Sequence, residues 1–276
     1  MRPIRIPKYI KVHAQLNDSI EKTCWGIHNA YQVLQKNSPD VSIVIPAYNE
    51  ETNILQTLSS LCNNETNWGV EIIVVNNNSK DNTASLANAA GVKCILEKVQ
   101  GITAARNAGL IAAKGNYILN ADADTIYPVN WIESMIKPLH ENNTIAVVYG
   151  NFAFIPTQNT PRFIYFCYEY LADLMRWLNA IFKEEAMNVY GFNSGFRKQQ
   201  GVAVNGFEHP AGTNEDGWLA VKLRAKGFGK LYCIKNKQAL VWTTDRRIQQ
   251  DGGLLKGILK RFYRLVGIKT ENRTDL

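Results

Sequence analysis

From Val41 onward the chain alternates short β-branched runs with helical ones, and few folds accommodate that rhythm. The runs "VSIVIP", "VEIIVVN", "VKCILE" and "NYILNA" are followed by helix-spaced stretches over residues 51–62, 81–90, 102–113 and 130–140, and the series closes on "IAVVYGNFAF". Strand and helix in strict turn predict a mostly parallel sheet flanked by helices on both faces, an α/β architecture. "VSIVI" and "EIIVV" are apolar throughout rather than alternating, as expected of central strands covered on both sides. In such sheets ligands sit beyond the carboxyl ends of the strands. The connections there read "PAYNEE" after the first strand, "NNNSKDNT" after the second and "DAD" after the fourth. Turns rich in Asn and Ser expose backbone N–H groups that suit anions, which points to a phosphate-bearing ligand.

Outside this alternation the signals are weaker. Residues 1–40 read as a basic arm followed by a helix over about 16–36, with Ile20, Trp25, Ile27, Tyr31 and Leu34 as its apolar positions. The stretch "MRPIRIPKYIKVHAQL" lacks the continuous apolar core of a secretory signal and is read as retained. The longest apolar window, "FIYFCYEYLADLMRWLNAIF", carries Glu169, Asp173 and Arg176, so it reads as an amphipathic helix and not a membrane span. Five separated cysteines with no C-x-x-C pair suit buried thiols in a reducing compartment and argue against a zinc site. The net charge of +7 suits nucleotide phosphates or anionic lipid; nucleic acid is disfavoured, because the basic residues cluster at the termini.

The acidic pair in "LNADADTI" needs a reason, since an apolar strand has no use for two carboxylates at its end. In an extended segment residues i and i+2 project to one side, so Asp122 and Asp124 would aim at a common point. Like charges that close repel unless a cation joins them. Mg²⁺ or Mn²⁺ fits, being hard ions that take oxygen ligands and fill their shell with water and substrate phosphate. The plain alternative is a helix cap and a solvated Asp, and D-x-D alone does not decide.

The order of motifs does more. "VSIVIPAYNEE", "EIIVVNNNSKDNT", "GITAARNAGL", "GNYILNADAD", "GFNSGFRKQQGVAVNGF" and "NEDGWLAVKLRAKG" together resemble the family 2 glycosyltransferases of GT-A fold over about Val41 to Arg247. The resemblance implies an inverting transferase that uses a nucleotide-diphospho-sugar and a divalent ion, with Mg²⁺ or Mn²⁺ as cofactor. By position it places Pro46, Ala47, Tyr48 and Glu50 in the first nucleotide-contacting loop and Asn77 in the second, where "NNN" replaces a commoner Asp-containing form. Arg106 matches an arginine beside the nucleotide and the acidic motif; its alternative is a surface helix charge. Asp122 and Asp124 match the metal and diphosphate motif, Asp124 as the direct ligand. Asn193, with Ser194 and Gly195, matches a strand bordering donor and acceptor. Arg246, in "TTDRR", matches a late arginine for the pyrophosphate, or is a solvated charge.

Glu215 and Asp216 open a helix whose Leu219, Val221 and Leu223 are apolar. Helix polarity alone favours acids in a first turn. The resemblance implies instead that Asp216 is the general base and Glu215 its support or a binder of acceptor hydroxyls. An inverting displacement needs one base on the face opposite the departing diphosphate. The expected domains are an arm at 1–40, a catalytic domain at 41–250 and a basic amphipathic helix with tail at 251–276. That last helix would carry Leu255, Ile258, Leu259, Phe262 and Val266 on one face and Lys256, Lys260 and Arg264 on another. It would either pack on the domain or lie on an anionic membrane. The expected partners are therefore a nucleotide-sugar donor, a saccharide or lipid-linked saccharide acceptor, and an anionic membrane surface. The expected location is cytoplasmic, peripheral on the inner face of the cell membrane.

Three rival classes fit the sequence less well. A nucleotidyltransferase of similar sheet needs a Gly-rich basic loop after the first strand, where this chain has "PAYNEE"; a dinucleotide oxidoreductase needs G-x-G-x-x-G, which follows no predicted strand. An inactive saccharide-binding relative would be expected to lose a carboxylate set, and both are present.

Overall fold

The structure is a computed structural model and describes residues 2–158, 160–250 and 252–254. Helices α1 (Lys8–Ala14) and α2 (Ile20–Leu34) precede the first strand, β1 (Val41–Ala47). Then come α3 (Ile54–Cys62), β2 (Val70–Asn76), α4 (Thr83–Ala89), β3 (Lys93–Leu96), α5 (Ile102–Ala112) and β4 (Tyr117–Asn120). This half is the predicted alternation. β3, β2, β1 and β4 lie side by side and all parallel, with β1 and β2 in continuous register from Val41 opposite Val70 to Ala47 opposite Asn76.

The second half departs from simple alternation. It contains β5 (Thr125–Ile126), α6 (Trp131–Glu141), β6 (Ile145–Gly150), β7 (Phe152–Ile155), α7 (Arg162–Phe182), β8 (Ser194–Arg197), α8 (Lys198–Ala203), α9 (Glu215–Ala225), β9 (Lys230–Ile234), β10 (Val241–Thr244) and α10 (Arg246–Gln250). β8 inserts antiparallel between β4 and β6, and β9 closes the seven-stranded sheet beside β6. Because β8 runs backwards, its beginning and not its end lies at the rim where β4 finishes. The loop leading into β8 is thereby brought to the ligand side.

"IAVVYGNFAF" is two strands, not the single one expected: β6 stays in the large sheet while β7 joins β5 and β10 in a small one. The chain changes sheets at Gly150, where a side chain would stand 2.3 Å from the Asn193 amide and 2.8 Å from the Ala239 carbonyl. Helix α2 shares the core of the large sheet, whereas Ile10 of α1 packs with Ile126, Ala153, Leu240 and Trp242. Ile27, Tyr31 and Leu34 are buried with β1 and β2 residues, and the Tyr31 hydroxyl accepts from the Ile72 amide at 2.7 Å. Ile20 and Trp25, expected on that face, point to solvent instead, and Cys24 fills the buried position. The expected helix at 254–266 falls, from Leu255 on, outside the described residues. Among the described residues no helix is long and apolar enough to cross a membrane.

Candidate active site

The carboxyl ends of β1, β2 and β4, the loop before β8 and the start of α9 enclose a crevice of about 1020 Å³. Pro46, Ala47, Tyr48, Glu50, Asn77, Arg106, Asp122, Asp124, Glu215, Asp216 and Arg246 all line it. The loops after β1 and β2 are tied together: the Asn49 amide donates to Ser79 Oγ at 3.0 Å and the Lys80 amide to Asn49 Oδ1 at 2.8 Å. Asn49 adopts a left-handed φ of 54°, a conformation that Asn tolerates better than most residues.

At the centre lies Arg106, on the inner face of α5 and 1% exposed. Its Nη2 donates to Asp122 Oδ1 at 2.9 Å, and its Nε lies 3.6 Å from Asp216 Oδ1. One guanidinium thus joins two acidic motifs that are distant in sequence. Burial pushes the Asp216 carboxyl up to about 8 against the pull of Arg106, with Glu215 and Asp122 adding to the rise. A carboxyl poised near neutrality is what a general base requires.

Asp122 and Asp124 face the same crevice, but not by the route expected. β4 ends at Asn120, and Asp124 lies in a turn, so the projection rule for an extended segment does not apply. Tertiary bonds orient the pair instead. The Asp122 amide donates to the Tyr127 hydroxyl at 2.9 Å, which in turn donates to the Phe192 carbonyl at 3.1 Å. The Ala123 carbonyl accepts from Thr57 Oγ1 at 2.8 Å. Asp124 Oδ2 lies 3.3 Å from Thr244 Oγ1 and 3.3 Å from Arg246 Nη2, and the same Arg246 atom donates to Glu50.

One expected site residue lies away from the crevice, and another lines it with its amide already engaged. Asn193 does not line the crevice. Its amide donates to the Asn151 and Ala239 carbonyls and accepts from Trp131 Nε1, so the side chain locks β8 to the sheet change at Gly150. Gly195 likewise meets Leu119 and sheet backbone, and makes no room for a ligand. Asn77 borders the crevice, yet its amide is spent on the Glu97 and Val99 carbonyls and the Gly101 amide, which shapes the 97–101 loop.

Sequence reading missed other members. A side chain at Gly191 would stand 2.1 Å from Arg106 Nη2 and 2.4 Å from Asp216 Oδ2, so glycine is what lets the loop cross the ion pair. The rings of Tyr190 and Phe192 stack at 5.4 Å on either side of it. The pattern Tyr-Gly-Phe was visible in "YGFNSG"; nothing in the sequence marked Tyr127.

Five carboxylates and two guanidiniums line the crevice, a formal balance of −3 among the described residues when all are ionised. Two aspartates on one wall and an all-oxygen donor set fit Mg²⁺ or Mn²⁺. Among the described residues no three or more His, Cys, Asp or Glu side chains converge as a complete cage.

A mostly parallel sheet flanked by helices, carrying acidic motifs at its carboxyl rim, is the GT-A architecture. Its solved neighbours include the mannosyltransferase PcManGT of Pyrobaculum calidifontis, in complex with GDP-Man and Mn²⁺. The superposition gives a TM-score of 0.56 at 18% identity and covers 92% of this chain and 76% of that one. The family described as Glycosyl transferase family 2 matches residues 42–199, more than half of the chain, and the protein belongs to that family. Curated relatives include the chondroitin synthase of Escherichia coli, 33% identical over 114 residues, which are 39% of this chain and 17% of that one. Another, from the same species, is the UDP-Glc:alpha-D-GlcNAc-diphosphoundecaprenol beta-1,3-glucosyltransferase WfgD, 34% identical over 120 residues, 42% of this chain and 46% of that one. The chain thus spans less than half the length of either relative.

Proposed function

We propose that the crevice binds a nucleotide-diphospho-sugar and transfers the sugar, with inversion, to a hydroxyl of a saccharide or lipid-linked saccharide. The observation that carries this reading is Arg106, buried between Asp122 of one acidic motif and Asp216 of the other. It fixes the distance between a donor-side carboxylate and a base-side carboxylate within one cavity.

Pro46, Ala47, Tyr48 and Glu50 form the nucleoside wall, Tyr48 being half exposed at the rim. Asn77 shapes the neighbouring loop. Asp124, with Asp122, would hold a Mg²⁺ or Mn²⁺ whose charge stabilises the leaving diphosphate. Arg246 faces the same group and supplies a charge-assisted donor. Asp216 takes the proton of the attacking hydroxyl, and Glu215 binds the acceptor's other hydroxyls. The names of the chondroitin synthase and of WfgD support a role in polysaccharide or glycolipid synthesis. The reading places the enzyme in the cytoplasm, at the inner face of the membrane, whose anionic lipids attract a chain of net charge +7.

A thermal-shift panel of UDP-, GDP- and dTDP-sugars with Mn²⁺ tests this reading, because a ligand bound by the native state raises the melting temperature by mass action. One donor is expected to give a shift that EDTA abolishes, and NMR of the product should show an inverted anomeric centre. No shift with any donor, or a retained anomer, overturns the proposal.

A further inference from the structure

Helix α7 wears its charges inside. It runs for 21 residues, about 30 Å at the usual rise, and its four ionic side chains all engage the body of the protein. Arg162 and Glu169 pair at 2.8 Å, Arg2 reaches Asp173 at 2.7 Å, and Arg176 donates to Asn151 at 2.6 Å. The opposite face is apolar and exposed: Phe163, Tyr170, Leu174, Trp177, Ile181 and Phe182 all lie on it or its edge, Trp177 at 58% and Phe182 at 74% exposure. An apolar stripe this long on one helix exceeds the scattered surface hydrophobics of a soluble protein.

Beside it lies a basic arm. Arg2–Asp173 and the bond from Arg162 Nη2 to the Pro3 carbonyl at 3.2 Å fasten the N-terminus to α7. Past this fastening the arm exposes Ile4 and Arg5, and α1, which packs on α3 and β5, exposes Lys8, Tyr9, Lys11 and Val12. Lys183 ends the helix, also exposed.

We propose that the outward face of α7, with this arm, docks on the surface of an anionic lipid bilayer. Apolar and aromatic side chains flanked by exposed cations are the combination that seats a helix in the headgroup region without spanning it. The cations choose between occupants. A second copy of the chain on a two-fold axis would bring the same basic arms toward each other, whereas anionic headgroups neutralise them. The surface uses other residues than the expected helix at 254–266, and it does not depend on which donor the crevice takes.

Flotation of the full chain with phosphatidylglycerol-containing vesicles, against phosphatidylcholine alone, tests the proposal. The wild type should bind the anionic vesicles and lose about tenfold or more in affinity when salt is raised severalfold. Leu174→Glu with Trp177→Glu should weaken binding by about tenfold or more, and Arg5→Glu with Lys8→Glu should weaken it and flatten its salt dependence. Both variants should keep the wild-type melting temperature and the shift given by nucleotide-sugar. Absence of vesicle binding, or equal binding by the α7 variant, overturns the proposal. So does a wild-type dimer in light scattering that the α7 variant dissociates while vesicles remain unbound. Loss of vesicle binding with donor binding intact separates this surface from the proposed chemistry.

Discussion

Replacing Arg106 by Met tests whether a single cation holds the two acidic motifs together. Met keeps much of the volume of the buried stem but strands Asp122 and Asp216, previously at 2.9 and 3.6 Å from the guanidinium. Removing one partner of a buried ion pair generally costs about 3–5 kcal/mol, because the remaining charge stays desolvated. For a domain of this size each kcal/mol moves the melting temperature by about 2–4 °C, so the loss should fall at about 6–20 °C at pH 8. The loss should shrink at pH 5.5, where Asp216, already pushed up to about 8 by burial, is protonated and strands no charge. Because Arg106 pulls that carboxyl down, Asp216 titrates higher still without it, so Asp216→Asn should restore about 1 kcal/mol or more to the Arg106→Met chain only on the alkaline side of pH 8. Differential scanning calorimetry of the four chains on both sides of pH 8 reads the cycle. A single-variant loss under about 1 kcal/mol, or a double variant less stable than Arg106→Met alone, would refute the reasoning.

In Asp216→Asn, turnover should fall by about a hundredfold or more with donor affinity kept, as read by steady-state kinetics and calorimetric titration. Since burial raises the Asp216 carboxyl, its favourable contribution to folding is present below about pH 4 and lost as pH rises through about 8. The Asn variant should therefore lose that part of the pH dependence of stability, and wild-type kcat/KM should climb toward about pH 8; matching pH profiles for the two chains contradict this. Asp124→Ala should abolish Mn²⁺-dependent donor binding, and equal nucleotide affinity with and without Mn²⁺ speaks against the metal role. Gly191→Ala, whose new methyl would stand 2.1 Å from Arg106 Nη2, should cut activity by about tenfold or more at a folding cost of about 1–3 kcal/mol; a fully active variant removes the close-crossing role. Arg246→Met should weaken donor binding by about tenfold yet change stability by under about 1 kcal/mol, because the side chain is one-third exposed; unchanged donor affinity would be contrary.

The parts of the fold that sequence revealed are those governed by local period. β1 and β2 announce themselves by uninterrupted branched residues, and the helices between them by spacing, because each strand meets the next through a short crossover. The antiparallel insertion of β8 was invisible, since its placement depends on long-range pairing with β4 and β6. The same division runs through the site. Asp122 and Asp124 stood out as charges where none were needed, whereas Glu215 and Asp216, ordinary first-turn acids, stood out only through the resemblance. The side chain of Asn193 looked alike from sequence whether it met a ligand or Trp131, for an amide serves both equally. Tyr127 orients the acidic turn through one hydroxyl, and no spacing rule connects a tyrosine to a carbonyl 65 residues away.

The charge balance of the crevice bears directly on the proposed chemistry. A diphosphate entering a cavity with five acids and two guanidiniums meets net repulsion on every wall except those of Arg106 and Arg246. Arg106 is buried and already shared between Asp122 and Asp216, so it can fix geometry but cannot turn toward a ligand. Arg246 is more exposed and held by Glu50 and Asp124, so each bond it gives a phosphate is taken from a carboxylate. A divalent cation held by Asp124, as proposed, would remove that competition, since its charge would offset both acid and phosphate. Protonation of Asp216 lowers the repulsion further, but only by withdrawing the base. On the proposed reading, donor binding and base activation would pull Asp216 in opposite directions with pH, and a metal at the donor wall would let both proceed near neutrality.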